Sequence, residues 1–354
     1  MLKHTTSIEL SIIVPVMNER HQLPAFLADL GRQQALDYEL LICDGGSDDG
    51  TIEWLQQHRA QFEFTLLVGP AGRARQLNQG IAAARGRWLL LLHVDSRFAD
   101  ACAIRRGLDQ LLDCNSLSVA GHFALRFRRT QTGAERAFYF YEWKARLGRA
   151  ETIHGDQGFL LPRELCSRVG PFDQSLPAME DSDFAERLRE LGQWRLLPAE
   201  ISTSARRFEV EGLWQRQLLG ALMMCFRALN WQDFFAAAPD LYRQQAAADR
   251  LSVGPFFQLI RQLLREKPLR ERCRLWYRSG WYVNEQLWQL FLALDARRCY
   301  RRGIPPGQGR SVWLNTAEPL LDWLLGNPGG RLATTAALRV CFAVLDRRLK
   351  WCRE

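Results

Sequence analysis

Residues 87–95 read RWLLLLHVD, a run that is apolar on both faces of a strand and ends in a histidine and an aspartate. A strand with one wet face alternates polar and apolar residues, so a continuous apolar run belongs inside a parallel sheet. Three strands of the same kind precede it: residues 9–16 (ELSIIVPV), 38–44 (YELLICD) and 64–68. Helical patterns separate them at 21–34, after the DDGT of 48–51, and at 72–85. Strand–helix alternation predicts an α/β domain whose sheet is covered on both faces and binds its ligand at the carboxyl ends of the strands. Further along, helices are expected at 101–112, 133–148, 180–191 and 213–229, with a strand at 118–127.

The chain has 354 residues, 47% of them apolar and 24% charged, which suits a globular core and excludes disordered or collagen-like composition. Charge is unevenly spread: residues 1–245 hold 28 Lys and Arg against 30 Asp and Glu, whereas 246–354 hold 19 against 9. That step predicts two domains, an α/β domain over 1–245 and a basic, Trp-rich helical domain over 246–354. Nine cysteines without a CxxC pair, and no secretory hydrophobic region at the start, predict reduced thiols and a cytoplasmic protein. No run of about 18 uncharged apolar residues marks a membrane span. The absence of GxGxxG, Walker and GxSxG patterns excludes the common dinucleotide, P-loop and hydrolase classes.

Polar clusters fall where the predicted strands end. Pro15, Asn18 and Glu19 place a carboxylate at the end of the first strand. The CDGGSDDGT of 43–51 puts Asp44 at the end of the second; a turn with helix caps accounts for Ser47 and Asp48 but poorly for Asp44, whose carboxylate suits a base N–H such as uracil N3. Arg73 and Arg75 stand at a predicted helix start, where the dipole disfavours cations unless an anion such as a diphosphate shares the site. His93 and Asp95, two apart in a strand, are expected on one face. Mg²⁺ or Mn²⁺ on a diphosphate needs one or two protein carboxylates, and Asp95 fits, with His93 a second candidate. The acidic start of the 180–191 helix (Glu180, Asp181, Asp183) offers a base for an acceptor hydroxyl.

Taken in order, SIIVPVMNE, CDGGSDDGT, GRARQLNQG, LLLLHVDSR, HGDQGFL and MEDSDFAERL resemble family 2 glycosyltransferases of the GT-A fold, and within them the radical-SAM/selenodomain-associated transferases. The resemblance covers about residues 8–245. It implies a GT-A-like, mostly parallel sheet flanked by helices (the nucleotide-diphospho-sugar transferase fold), followed by an all-helical extension. It also implies an inverting, metal-assisted transfer from a nucleoside-diphosphate sugar, with a UDP-sugar favoured. By position, Asp44 would read the base, with Pro15, Asn18 and Glu19 in the same pocket. Arg73 and Arg75 would lie near the diphosphate, Asp95 would hold the metal, and Asp181 would be the base. Asp156 and Gln157 of HGDQG, with Glu180, would lie beside sugar and acceptor. The family's Asp-x-Asp motif begins here with His93, which bears on metal affinity.

Two other classes compete. A nucleotidyltransferase is expected to carry a Gly-rich basic loop after the first strand, where Pro15–Glu19 stands instead. A non-catalytic nucleotide-binding scaffold is kept open by His93 and by the unmatched tail. The 213–229 segment is apolar nearly all round, as in a buried helix or an in-plane membrane contact. The tail tryptophans 276, 281, 288, 313, 323 and 351 favour packing over an anionic membrane surface, which would make the protein peripheral at the inner face. The acceptor class (small molecule, glycan or lipid-linked) is open, and no nucleic-acid module is present.

Overall fold

The computed structural model describes residues 8–245 and 250–351, which divide into two compact units. The first runs to Arg128 and resumes from Tyr141 to Ser204; the second comprises Arg129–Phe140 and the chain from Ala205 onward. The charge step near 245 thus falls inside the second unit.

The first unit is built on β1 (Leu10–Val16), α1 (Leu23–Leu30), β2 (Tyr38–Asp44), α2 (Thr51–Gln57), β3 (Thr65–Val68), α3 (Arg73–Ala83) and β4 (Trp88–Leu91). There follow α4 (Ala103–Asp113), β5 (Val119–Arg128), α5 (Glu135–Lys144), β6 (Phe159–Pro162), α6 (Arg163–Val169), α7 (Glu180–Leu191) and β7 (Gln193–Ser204). The chain passes from one unit to the other within α5. One seven-stranded sheet has the order β3-β2-β1-β4-β6-β5-β7. β1 lies parallel to β2 and β4, β2 to β3, and β5 to β7; β6 alone runs antiparallel, to β4 and β5.

The apolar strands bury both faces as their composition requires. Leu10, Ile12, Val14 and Val16 face a core shared with α1 and α4. Ile13, Leu41, Leu89 and Leu91 face another, shared with α3, α6 and α7. α3 can lie close on β1 and β2 because residue 80 is glycine: a Cβ there would come within 2.4 Å of Ile13 Cγ2 and 2.8 Å of Cys43 Sγ.

Two features differ from expectation. β4 stops at Leu91, so His93 and Asp95 stand beyond the strand in a turn and do not share a strand face. β6 and β7 complete the sheet, although neither carries the long apolar pattern of β1 or β4.

The second unit is helical: α8 (Arg206–Glu211), α9 (Leu213–Ala228), α10 (Gln232–Arg243), α11 (Gly254–Glu266), α12 (Leu269–Glu285), α13 (Trp288–Arg301), α14 (Val312–Leu325) and α15 (Pro328–Trp351). Its core gathers Phe226, Trp231, Phe234, Phe256 and Ile260. Only Leu219, Cys225 and Phe226 of α9 are fully buried, so this helix is less enclosed than its apolar sequence implies. The tail tryptophans divide. Trp288 is buried, whereas Trp313 is 50% and Trp323 76% exposed, against the expectation that they pack inside. The Trp351 side chain lies outside the described residues. Among the described residues no helix is long and apolar enough to cross a membrane.

Candidate active site

Parallel pairing brings the carboxyl ends of β1, β2 and β4 to one edge of the sheet, and the predicted polar clusters follow there. The first two interlock. Asn18, in the left-handed region at φ 58°, donates its N–H to Ser47 Oγ (2.8 Å) and accepts the Asp48 N–H on Oδ1 (2.9 Å). The Glu19 N–H donates to Thr51 Oγ1 at 3.1 Å. Pro15 is half-buried within β1.

Asp44 is fully buried. Its Oδ1 accepts the N–H groups of Gly46 and Ser47, each at 2.8 Å, and its Oδ2 accepts the Ser47 hydroxyl at 2.6 Å. A carboxylate offers about four lone-pair positions, and the turn uses three. The turn therefore has its own need for Asp44, which the sequence pattern did not show.

α3 joins this end of the sheet to the next group of residues. Buried Gln76 donates to the carbonyls of Val16 (2.6 Å) and Cys43 (2.7 Å), fixing the helix over β1 and β2. One turn earlier, exposed Arg73 forms an ion pair through Nε with Glu180, the buried first residue of α7. The anion that offsets a cation at this helix start is thus, in the protein itself, Glu180. Its neighbour Arg75 is exposed and makes no polar contact among the described residues.

Arg73 Nη1 lies 3.2 Å from His93 Nε2. A guanidinium only donates, so this nitrogen accepts and its lone pair is engaged. Asp181 Oδ2 accepts the Gly155 N–H at 2.7 Å, and its Oδ1 the Ser182 N–H at 2.8 Å. A Cβ on residue 155 would stand 3.0 Å from His93 Nε2 and 3.1 Å from Asp181 Oδ2, so glycine keeps these groups together. The cavity among Arg73, His93, Gly155, Glu180 and Asp181 measures only about 10 Å³, space for about one water. Charged side chains here close on one another.

Electrostatics divide the acids. Burial pushes the Asp181 carboxyl up, but Arg73, His154 and the Gly155 N–H outweigh it and hold the group at about 2. Asp156 goes the other way: burial, then the charges of Asp181 and Asp95, raise it to about 7 despite Arg73. Its Oδ1 is buried without a hydrogen-bond partner. Asp95 uses Oδ2 to accept the Thr203 hydroxyl (2.9 Å) and the Ser204 N–H (3.0 Å) at the end of β7, and its Oδ1 has no partner among the described residues.

The structure therefore brings Arg73, His93, Asp95, Asp156, Glu180 and Asp181 into mutual electrostatic reach. Gln157 turns inward: it is 1% exposed and donates to the Thr152 carbonyl at 2.6 Å. Three supporting residues were not among the predicted site residues: Thr203, which holds Asp95; His154, which opens the HGDQG motif and whose Nδ1 lies 3.0 Å from Ser182 Oγ; and Arg128, which donates to the Asp95 carbonyl. Each acts on a partner distant in the chain.

A divalent cation fits this donor set in one way. No group of three His, Cys, Asp or Glu among the described residues could hold a metal. Asp95 Oδ1 and the orphaned Asp156 Oδ1 are two hard oxygen donors, and Mg²⁺ or Mn²⁺ takes one or two carboxylates when substrate phosphates complete its shell.

The family model "Glycosyl transferase family 2" matches residues 11–168. Over 178 residues the chain is 33% identical to a "PGL/p-HBAD biosynthesis glycosyltransferase" of Mycobacterium bovis, covering 49% of this chain and 67% of that protein. It is 32% identical over 125 residues to a "Dolichyl-phosphate beta-glucosyltransferase" of Drosophila melanogaster, covering 31% of this chain and 38% of that one. Among solved structures, the mannosyltransferase PcManGT from Pyrobaculum calidifontis, in complex with GDP-Man and Mn²⁺, aligns with a TM-score of 0.47 at 17% identity, over 99% of this chain and 89% of that one.

Proposed function

The chain belongs to the family 2 glycosyltransferases, and on that premise we propose that it moves a sugar from a nucleoside diphosphate, a UDP-sugar by preference, to an acceptor hydroxyl with inversion. The supporting observation is the pairing of two acids on one cleft, Asp181 kept ionised and Asp156 kept partly protonated. The closer resemblance to the radical-SAM/selenodomain-associated subgroup is part of the proposal.

The base would sit over the β1 and β2 ends beside Pro15, Asn18 and Glu19, and the buried Asp44 carboxylate would meet its N–H only after the 45–47 turn shifts to uncover it. Arg75 and Arg73 supply positive charge for the diphosphate. Arg73 would then trade Glu180 for the ligand, which frees Glu180 toward the sugar. A divalent cation on Asp95, with Asp156 beside it, would neutralise the charge that builds on the leaving diphosphate. Gln157 supports the 155–157 turn from inside.

Asp181 takes the acceptor proton. A carboxylate held at about 2 is a weak base, and loss of Arg73 to the diphosphate removes the charge that keeps it low. Asp156, poised near 7, is a second candidate base. A direct comparison separates them. Asp181→Asn is expected to lower kcat by about 10²–10⁴ while donor affinity changes little. Near-normal turnover in Asp181→Asn, with the loss appearing in Asp156→Asn instead, would reassign the base. Chelation of divalent cations is expected to weaken donor binding in calorimetry, and Asp95→Ala to abolish the response to added Mn²⁺.

The setting proposed is cytoplasmic, with peripheral contact at the inner face of the membrane. α14 supports the contact. Only Leu314 in it is buried, and at 3.6 residues per turn Val312, Trp313, Thr316, Leu320, Trp323 and Leu324 share an arc of roughly 120°. Arg297, Arg298, Arg301, Arg302 and Arg310, on α13 and the loop before α14, are exposed and unpaired among the described residues. An apolar arc beside free cations suits an anionic lipid surface, and like charge opposes self-association through the same face.

A further inference from the structure

A cavity of about 250 Å³ opens within the second unit among α11, α12 and α15, and none of its lining residues is assigned to glycosyl transfer. Four arginines line it: Arg261 and Arg265 from α11, Arg272 from α12 and Arg339 from α15. Asp346 pairs with Arg261 at 3.2 Å. Arg265 and Arg272 have no carboxylate partner among the described residues, and Arg339 is set over the Trp276 ring at 5.9 Å. The Nε atoms of Arg261 and Arg272 are buried with no hydrogen-bond partner.

Arg261 and Arg272 are half-buried, Arg265 and Arg339 exposed, and the four like charges share a cavity where only Arg261 has a carboxylate partner among the described residues. A buried N–H without an acceptor adds a further penalty. The arrangement becomes favourable when an anion with several oxygens enters, because planar forked donors match phosphate geometry. The remaining wall is apolar: Leu264, Trp276 and Phe342, with the two rings edge to face at 5.4 Å and Phe257 stacked on Phe342 at 4.7 Å.

We propose that this cavity binds a phosphate group borne on an apolar moiety. A lipid phosphate and a free soluble phosphate share the anionic chemistry. The apolar wall, and the outward apolar arc of α14 in the same unit, favour the lipid.

Calorimetry on the full chain tests this with dioctanoyl phosphatidic acid below its micelle concentration, and separately with inorganic pyrophosphate. Binding of phosphatidic acid should weaken at least tenfold in Arg265→Gln/Arg272→Gln and also in Arg339→Gln, an exposed position where folding is not at stake. The ligand-free double variant should melt at or above the wild-type temperature, since repulsion is relieved. Asp95→Ala, which disables the donor cleft, should bind phosphatidic acid as the wild type does, so failure of the glycosyl-transfer proposal would leave this result standing. Arginine-dependent binding of pyrophosphate that is tighter than that of phosphatidic acid assigns the site to soluble phosphates. Wild-type affinity for both probes in the arginine variants, or an equal loss in Asp95→Ala, overturns the proposal.

Discussion

Asp156 and Asp181 share a cleft but are driven in opposite directions, and the cause lies in their immediate neighbours. Asp181 has two N–H donors and Arg73; Asp156 has an orphaned oxygen and two other acids nearby. The sign of each effect on stability follows by linkage. A carboxyl raised to about 7 binds more protons in the folded than in the unfolded state between pH 3.8 and 7. The folded protein therefore loses stability as pH rises through that window. In metal-free buffer at pH 8, Asp156→Asn should stabilise the fold by on the order of 2–4 kcal/mol, an advantage that shrinks toward zero at pH 4. Urea unfolding at the two pH values measures it, and equal gains at both would show that charge is not the cause. Asp181, held at about 2, contributes the reverse: stability present above 3.8 and lost as pH falls through 2. The ordered motifs implied that Asp95, Asp156 and Asp181 share a site, but local pattern gave no contact between them: neighbouring members stand 61 and 25 positions apart, and packing of β4, the 155–157 turn and α7 brings them together.

Among the elements, α3 carries the most responsibility. Its Gln76 grips the ends of β1 and β2, its Gly80 lets the helix sit low on them, and its first residue reaches α7. Gly80→Ala should lift the helix off Ile13 and Cys43, costing about 1–3 kcal/mol and lowering donor affinity as Arg73 and Arg75 shift. A variant with unchanged urea midpoint would show that the helix accommodates the methyl group. β1 and β2 were legible because each carries a mostly buried, largely apolar run, Ile12–Val14 in β1 and Leu40–Cys43 in β2. β6 was not, since four residues carry no period. β7 hides behind its polar positions and Pro198, which the sheet tolerates because β7 is an edge strand. The same limit applied to β4: its apolar run continued past Leu91, but the chain turns there, and Arg97 fixes that turn by donating to the carbonyls of Val94 and Ser96.

At the scale of the whole molecule, one chain carries two units of different character, an α/β unit with the cleft and a helical unit rich in arginine and exposed apolar side chains. The second supplies the proposed membrane contact. Full-length protein should float with vesicles containing anionic phosphatidylglycerol at low salt and be released as salt rises. Trp313→Ser/Trp323→Ser should reduce flotation severalfold with only a small fall in melting temperature, because Trp323 is 76% and Trp313 50% exposed. Binding that ignores both salt and the tryptophans would leave the contact without a physical basis.

By itself the sequence determined the alternating strands and helices of the first unit, the edge of the sheet where the acids gather, and the start of α7 at Glu180, since each is written in local periodicity or at the end of an apolar run. Tertiary structure alone decided that Arg73 answers Glu180, that Thr203 and Ser204 hold Asp95, that Gln157 faces inward and that four arginines share a cavity. Those facts depend on which distant segments meet. Local pattern fixes the direction of a backbone, whereas the charge and hydrogen bonds a side chain meets are set by whatever the completed fold packs against it.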